Sequence, residues 1–152
     1  MLMTRHLGDL HATQEVGERL GRALRSGDFV GLVGTLGSGK TTLVRALASG
    51  AGVGPNEVSS PTFSLIHRYH GSGPTVHHAD LYRLSSRDEL YATGYFDLLD
   101  GEGVVLVEWI DRIPAAAPRQ WLELRLSSTG SESRRLEAVG HGPRGDELLA
   151  QL

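Results

Sequence analysis

Gly34-Thr35-Leu36-Gly37-Ser38-Gly39-Lys40-Thr41 joins three glycines to a lysine and a hydroxyl. Lys40 is the chain's only lysine; every other strongly basic side chain is arginine. The run fits the pattern Gly, four residues, Gly-Lys-Ser/Thr at each fixed position. Glycines let successive backbone N–H groups turn round one anion. A compact ammonium on a thin stem fits between phosphates where a planar guanidinium is bulkier. The Thr41 hydroxyl suits Mg2+. A chance glycine-rich turn is the plain alternative, and the flanks argue against it. Phe29-Val30-Gly31-Leu32-Val33 reads as a buried parallel strand before the loop, and Leu43, Val44, Leu47 and Ala48 recur with helical spacing after it. Gly34, Leu36, Gly37, Ser38, Gly39, Lys40, Thr41 and Thr42 are therefore the candidate nucleotide-phosphate contacts.

Such a loop binds phosphates but needs an acid to place metal or water. Val104-Val105-Leu106-Val107-Glu108 puts Glu108 at the C-terminal tip of an apolar strand, where open α/β sheets bind ligands. This is a Walker B arrangement with Glu for the commoner Asp; the plain alternative is an acid ending a strand in water. His77-His78-Ala79-Asp80 ends a second strand with His78 and Asp80 on one side. Asp80 reads as a second acid near the magnesium. His78 either supports it, contacts phosphate, or is a buried hydrogen-bonded histidine. No further ligand set at clear spacing argues for zinc. Ser60 and Thr62, in Ser59-Ser60-Pro61-Thr62-Phe63, offer hydroxyls that can sense a γ-phosphate, or the segment is an ordinary Ser-Pro turn. Trp109 faces away from Glu108 if the strand persists and lies over the site if it ends. Tyr82, Arg83 and Tyr91 suit an aromatic–basic surface for RNA or protein, or a packed face, which is the preferred reading of Tyr91.

The elements that must position these groups alternate. Thr13 to Ser26 reads as a first helix, with Val16, Leu20 and Leu24 on one face and Gly27 as its C-cap. Gly17 and Gly21 either weaken it or admit a second backbone. Ser64 to Tyr69 and Thr75 to Asp80 read as strands around the turn Gly71-Ser72-Gly73-Pro74, with Leu65, His67 and Tyr69 on one face. Ser86-Arg87-Asp88-Glu89 is a capping box opening a helix toward Leu99, with a break at Gly94. Trp121 to Leu126 and Arg134 to Val139 form a C-terminal antiparallel hairpin, and Asp146 to Leu152 a last helix or tail. The expected fold is a three-layer α/β P-loop domain with a mostly parallel central sheet and that hairpin.

Bulk properties set limits. At 152 residues with 39% hydrophobic content, the chain suits a single domain with a real core. The formal charge of −3 exerts no global pull on nucleic acid or anionic membrane. With no cysteine, disulfides and thiolate metal sites are excluded, which fits a cytoplasmic location. Met1 to Leu10 does not read as a secretory signal. No apolar run approaches the roughly 20 residues that span a bilayer.

Together these motifs resemble the TsaE (YjeE) family. The family pattern runs Gly-Asp-Leu-Gly-Ala-Gly-Lys-Thr, Ser-Pro-Thr-Phe/Tyr, His-x-Asp-x-Tyr-Arg, Glu-Trp. It corresponds here to Gly34–Thr41, Ser60–Phe63, His78–Arg83 and Glu108-Trp109, in the same order. Thr35 stands for the family's Asp, Ser38 for its Ala, and Ile110-Asp111 follows where Pro is frequent. The resemblance implies an ATPase in tRNA threonylcarbamoyladenosine synthesis, using ATP and Mg2+. It implies docking on the TsaB–TsaD synthase, with tRNA contacted through that complex, and nucleotide contacts from around Thr13 and from Arg134.

The chemistry expected is in-line attack of water on the γ-phosphate. Lys40 and loop amides stabilise charge, Thr41 and Glu108 hold Mg2+, and Asp80 places water. No arginine is assignable as a finger in cis, so turnover is slow alone. Three rivals stand beside this: a P-loop small-molecule kinase, though no arginine-rich lid is visible between Gly94 and Ala117; a non-hydrolysing nucleotide-sensing module; and a direct RNA binder, disfavoured by charge.

Overall fold

A computed structural model describes residues 1–54, 56–61 and 63–152. In chain order the elements are β1 (Leu2–Leu7), α1 (Leu10–Ala23), β2 (Phe29–Val33), α2 (Lys40–Gly50), β3 (Ile66–Tyr69) and β4 (Val76–Asp80). Then follow α3 (Arg87–Ala92), β5 (Val104–Glu108), β6 (Trp121–Ser128), β7 (Arg134–His141) and α4 (Gly142–Leu149). Short 3-10 turns cover Tyr95–Asp100, Ile110–Arg112 and Pro114–Ala116.

The strands form one seven-stranded sheet in the order β1-β7-β6-β2-β5-β4-β3. The four central strands β6, β2, β5 and β4 run parallel, while β1, β7 and β3 pair antiparallel outside them. Alternation assigns each strand's side chains to two apolar layers. Val30, Leu32, Val104, Leu106, Leu122 and Leu124 pack with α1, α2 and α4. Phe29, Val105, Val107 and Ala79 pack on the other face with Leu90, Tyr95, Leu98 and Ile110. Each fully buried aliphatic side chain contributes roughly 1.5–3 kcal/mol against the entropy of chain ordering.

Several boundaries differ from the sequence reading. The first helix begins at Leu10, not Thr13, because the Asp9 carboxylate caps it by accepting the Ala12 N–H at 2.8 Å. It ends at Ala23, and Gly27 instead donates its N–H to Gly103. Met1 to Leu10, given no element from sequence, holds β1, paired along β7 from Leu2↔Val139 to Leu7↔Arg134. The last helix starts at Gly142 with Pro143 in its first turn. The capping box at Ser86 forms as expected, its hydroxyl accepting the Glu89 N–H at 3.1 Å. The break at Gly94 is a left-handed residue (φ 82°) that ends α3 and starts the 3-10 turn.

Gly17 and Gly21 belong to a close helix seam. A Cβ at Gly17 would collide with the Ala46 methyl, and one at Gly21 with the Leu47 carbonyl oxygen of α2. The seam presses α1 against the helix that carries Lys40 and Thr41. Gly21→Ala is therefore expected to lower stability by about 1–3 kcal/mol. Gly8→Ala, with nothing near its added methyl, stays within about 0.5 kcal/mol of the native chain. Denaturant unfolding of both variants measures the difference.

Candidate nucleotide and metal site

The parallel centre of the sheet fixes the acids. In register, Asp80 on β4 lies beside Glu108 on β5, and Glu108 lies beside Leu32 on β2. Since β2 runs directly into the glycine loop, both carboxylates end where the loop begins. Glu108 is 3% exposed and Asp80 5%, so Glu108 is not a strand-ending acid facing water. Its Oε1 accepts the Thr41 hydroxyl at 2.9 Å, and its Oε2 lies 2.6 Å from His78 Nε2. Asp80 Oδ1 accepts the Tyr82 N–H at 2.8 Å. His78 is fully buried and contacts Glu108, the carboxylate one strand away.

The loop is held by its own lysine. Lys40 Nζ donates to the carbonyl oxygens of Gly34 at 2.7 Å and Thr35 at 2.8 Å, and lies 3.5 Å from Ser38 Oγ. Gly37 (φ 76°) and Gly39 (φ 99°) occupy the left-handed region that favours glycine. Burial pulls the Lys40 ammonium below its usual pKa, while the charges of Glu108, Asp80 and Asp111 act the other way. Trp109 also has positive φ (61°), which ends the strand and turns its ring over the site. The ring centroid is 4.1 Å from Lys40 Nζ. Of the two placements open from sequence, the one over the site holds.

A cavity of about 420 Å³ opens above these groups. Leu36, Gly37, Gly39, Lys40, Thr41 and Thr42 line its loop side. Asp80, Tyr82, Glu108 and Trp109 line the strand-end side, and Ser60 and Arg134 complete the rim. Arg134 reaches in from the start of β7, and its Nε donates to the Ser38 carbonyl at 2.7 Å. Gly34 and Ser38 contact Lys40 and do not line the opening. Thr62 lies outside the described residues.

Two of the residues singled out from sequence lie outside the cavity lining. Thr13 is 2% exposed and does not line the cavity; its hydroxyl donates to the Asp9 carbonyl at 3.4 Å. The early start of α1 puts Thr13 on that helix's buried face. Arg83 is exposed and stands 4.5 Å from the Phe63 ring, outside the lining. Tyr91, preferred as packed, is 68% exposed. Sequence reasoning missed Asp111 beside Lys40, and Arg112, whose Nη2 donates to the Tyr82 carbonyl at 2.6 Å. It also missed Tyr69, whose hydroxyl lies 3.1 Å from His78 Nδ1. The strand alternation that put His67 and Tyr69 on one face was the available signal.

The donor set suits magnesium with a nucleotide. Among the described residues no cluster of three or more His, Cys, Asp or Glu forms a metal cage. A hydroxyl and a carboxylate, Thr41 and Glu108, are hard oxygen donors of the kind Mg2+ combines with phosphates and water.

A family model described as Threonylcarbamoyl adenosine biosynthesis protein TsaE matches residues 7–136. The chain belongs to the TsaE family. The match runs from the end of β1 past Arg134 and so spans the whole cavity. Curated relatives called tRNA threonylcarbamoyladenosine biosynthesis protein TsaE agree along most of their length. The Treponema pallidum protein is 36% identical over 124 residues, covering 82% of this chain and 90% of its own. The Streptomyces coelicolor protein is 36% identical over 137 residues, covering 86% and 92%. The crystal structure of Bacillus subtilis YdiB superposes with a TM-score of 0.80 at 24% identity, covering 99% of this chain and 93% of that one, which fixes the fold. No helix among the described residues of this TsaE-family chain is long and apolar enough to cross a membrane.

Because Lys40 is unique, protein labelled with carbon-13 at lysine Cε gives one side-chain resonance. Its titration midpoint is expected below the ordinary 10.5, because burial disfavours the charged form. A midpoint at or above the ordinary value without ligand would contradict the buried geometry.

Proposed function

We propose that this chain is a magnesium-dependent ATPase. In this reading it serves as an accessory switch in N6-threonylcarbamoyladenosine modification of tRNAs reading ANN codons. It docks on a TsaB–TsaD synthase in the cytoplasm and hydrolyses ATP to allow repeated cycles. Family membership supports the pathway. The observation that carries the ATPase reading is the meeting of Lys40, Thr41, Asp80 and Glu108 at one cavity of about 420 Å³. That size suits a small-molecule ligand.

The roles follow from the side chains. Lys40 and the loop N–H groups neutralise charge on the β- and γ-phosphates. Thr41 and Glu108 would hold Mg2+, which supplies further charge stabilisation to the phosphates when bound. Asp80, buried beside Glu108, orients the attacking water. Ser60 stands at the rim, where a hydroxyl can report the γ-phosphate. Arg134 also lines the cavity, yet its guanidinium donates to the carbonyls of Ser38, Gly130 and Ser133. An arginine spent on its own backbone is a poor transition-state finger, so turnover is slow until a partner completes the site.

Lys40→Ala should weaken Mg-ATP binding by about 100-fold or more, as expected when a charge-assisted contact is removed. Glu108→Ala should reduce turnover by about 100-fold while changing affinity far less. Calorimetric titration and steady-state phosphate release measure the two. Hydrolysis assayed alone and with TsaB–TsaD and tRNA tests the switch role. Slow turnover that rises in the complex supports it. Indifference to those partners, with turnover triggered by a small acceptor, favours a kinase instead.

A further inference from the structure

Glu108 is gripped from two sides, and only one grip belongs to the glycine loop. A carboxylate accepts, so the 2.6 Å contact from His78 to Oε2 is donated by Nε2–H. Nδ1 of the same ring lies 3.1 Å from the Tyr69 hydroxyl. That hydroxyl lies 3.0 Å from the Ser59 carbonyl oxygen and accepts the Ser59 N–H at 3.3 Å. Ser59 immediately precedes Ser60 on the cavity rim. A continuous hydrogen-bonded chain, buried at Glu108, His78 and Tyr69, thus leaves the cavity at Thr41, crosses β5, β4 and β3, and returns to the same rim.

Burial sets the stakes. His78 is 0% exposed and Tyr69 6%, so an unmade hydrogen bond in this chain is costly. Burial also raises the Tyr69 pKa, which keeps the hydroxyl a neutral donor. Its one proton has three groups facing it, the Ser59 carbonyl, His78 Nδ1 and, in the tautomer that bears no hydrogen there, His67 Nδ1. His67 Nδ1, half-buried, flanks the junction at 3.2 Å from the Ser59 carbonyl and 3.3 Å from the hydroxyl. While Ser59 holds the proton, Nδ1 goes without it. Were the segment to move off, the hydroxyl would turn to Nδ1, and donation there would strengthen the Nε2–H bond to Glu108 through cooperativity along the chain.

We propose that Tyr69 and His78 are positioning residues that couple the Glu108 carboxylate to the Ser59–Ser60 segment. The functional consequence rests on the ATPase reading: movement of the cavity rim changes how firmly Glu108 is held, and hence the rate of hydrolysis. The linkage itself is a property of the chain without nucleotide.

Two measurements test it separately. Nitrogen NMR of the full nucleotide-free chain follows the Ser59 amide and the His78 ring. Glu108→Gln should shift both. In a Tyr69→Phe background the same substitution should still shift the ring but leave the Ser59 amide in place. An identical Ser59 shift with and without the hydroxyl overturns the linkage, whatever the chain hydrolyses. In steady-state kinetics, Tyr69→Phe should lower kcat about tenfold with an unchanged KM for ATP, the size of loss typical when a ligand's supporting partner is removed. Tyr69→Phe/Glu108→Gln should be no slower than Glu108→Gln. Multiplying losses, or lowered thermal stability with unchanged kcat, overturn the positioning role. A native chain that neither binds nor hydrolyses ATP overturns the ATPase reading alone, since the NMR comparison still decides the linkage.

Discussion

A single buried ammonium organises this molecule. Lys40 sits 5% exposed in a loop whose own carbonyls receive its protons. Removing such a charge from water is expensive unless hydrogen bonds and opposite charges compensate. Here the carbonyls of Gly34 and Thr35 and the carboxylates of Glu108, Asp80 and Asp111 do so. The lysine thus keeps the glycine loop shaped without a ligand.

That arrangement requires the acids and the loop to be held to within ångströms, and the sheet does this. Parallel pairing of β2, β5 and β4 brings three strand ends to one level, so Leu32, Glu108 and Asp80 stand in line. Both faces are covered by apolar layers, which gives the strands no freedom to slide without exposing one of them. The glycine seam of α1 against α2 fixes the helix that begins at Lys40. Trp109 closes the site because the chain leaves the strand regime at that residue.

Local features were legible in the sequence. The glycine loop with its flanks, the apolar strand ending in Glu108, the cap at Ser86 and the break at Gly94 are set by neighbours within a few residues. Features that depend on distant partners were not. β1 carries the polar run Thr4-Arg5-His6 and becomes a strand only because β7 offers it an edge. Thr13 looked available until Asp9 proved to start the helix a turn earlier. The Tyr69–His78 contact needed the β3–β4 register, in which His67 faces His78 and Tyr69 faces Val76. The family resemblance supplied the pathway and pointed to Arg134, which no local pattern singled out; the cavity includes it and leaves Thr13 out.

On the proposed reading, the cavity over Lys40 binds a magnesium nucleotide. The Trp109 ring stands 4.1 Å from that ammonium, so its emission reports the site directly. The chain has two tryptophans, and Trp121→Phe leaves Trp109 as the only one. Titrating that variant with ATP should give a saturable fluorescence change that depends on Mg2+. A signal that stays flat through millimolar Mg-ATP, from a folded chain, would contradict the account.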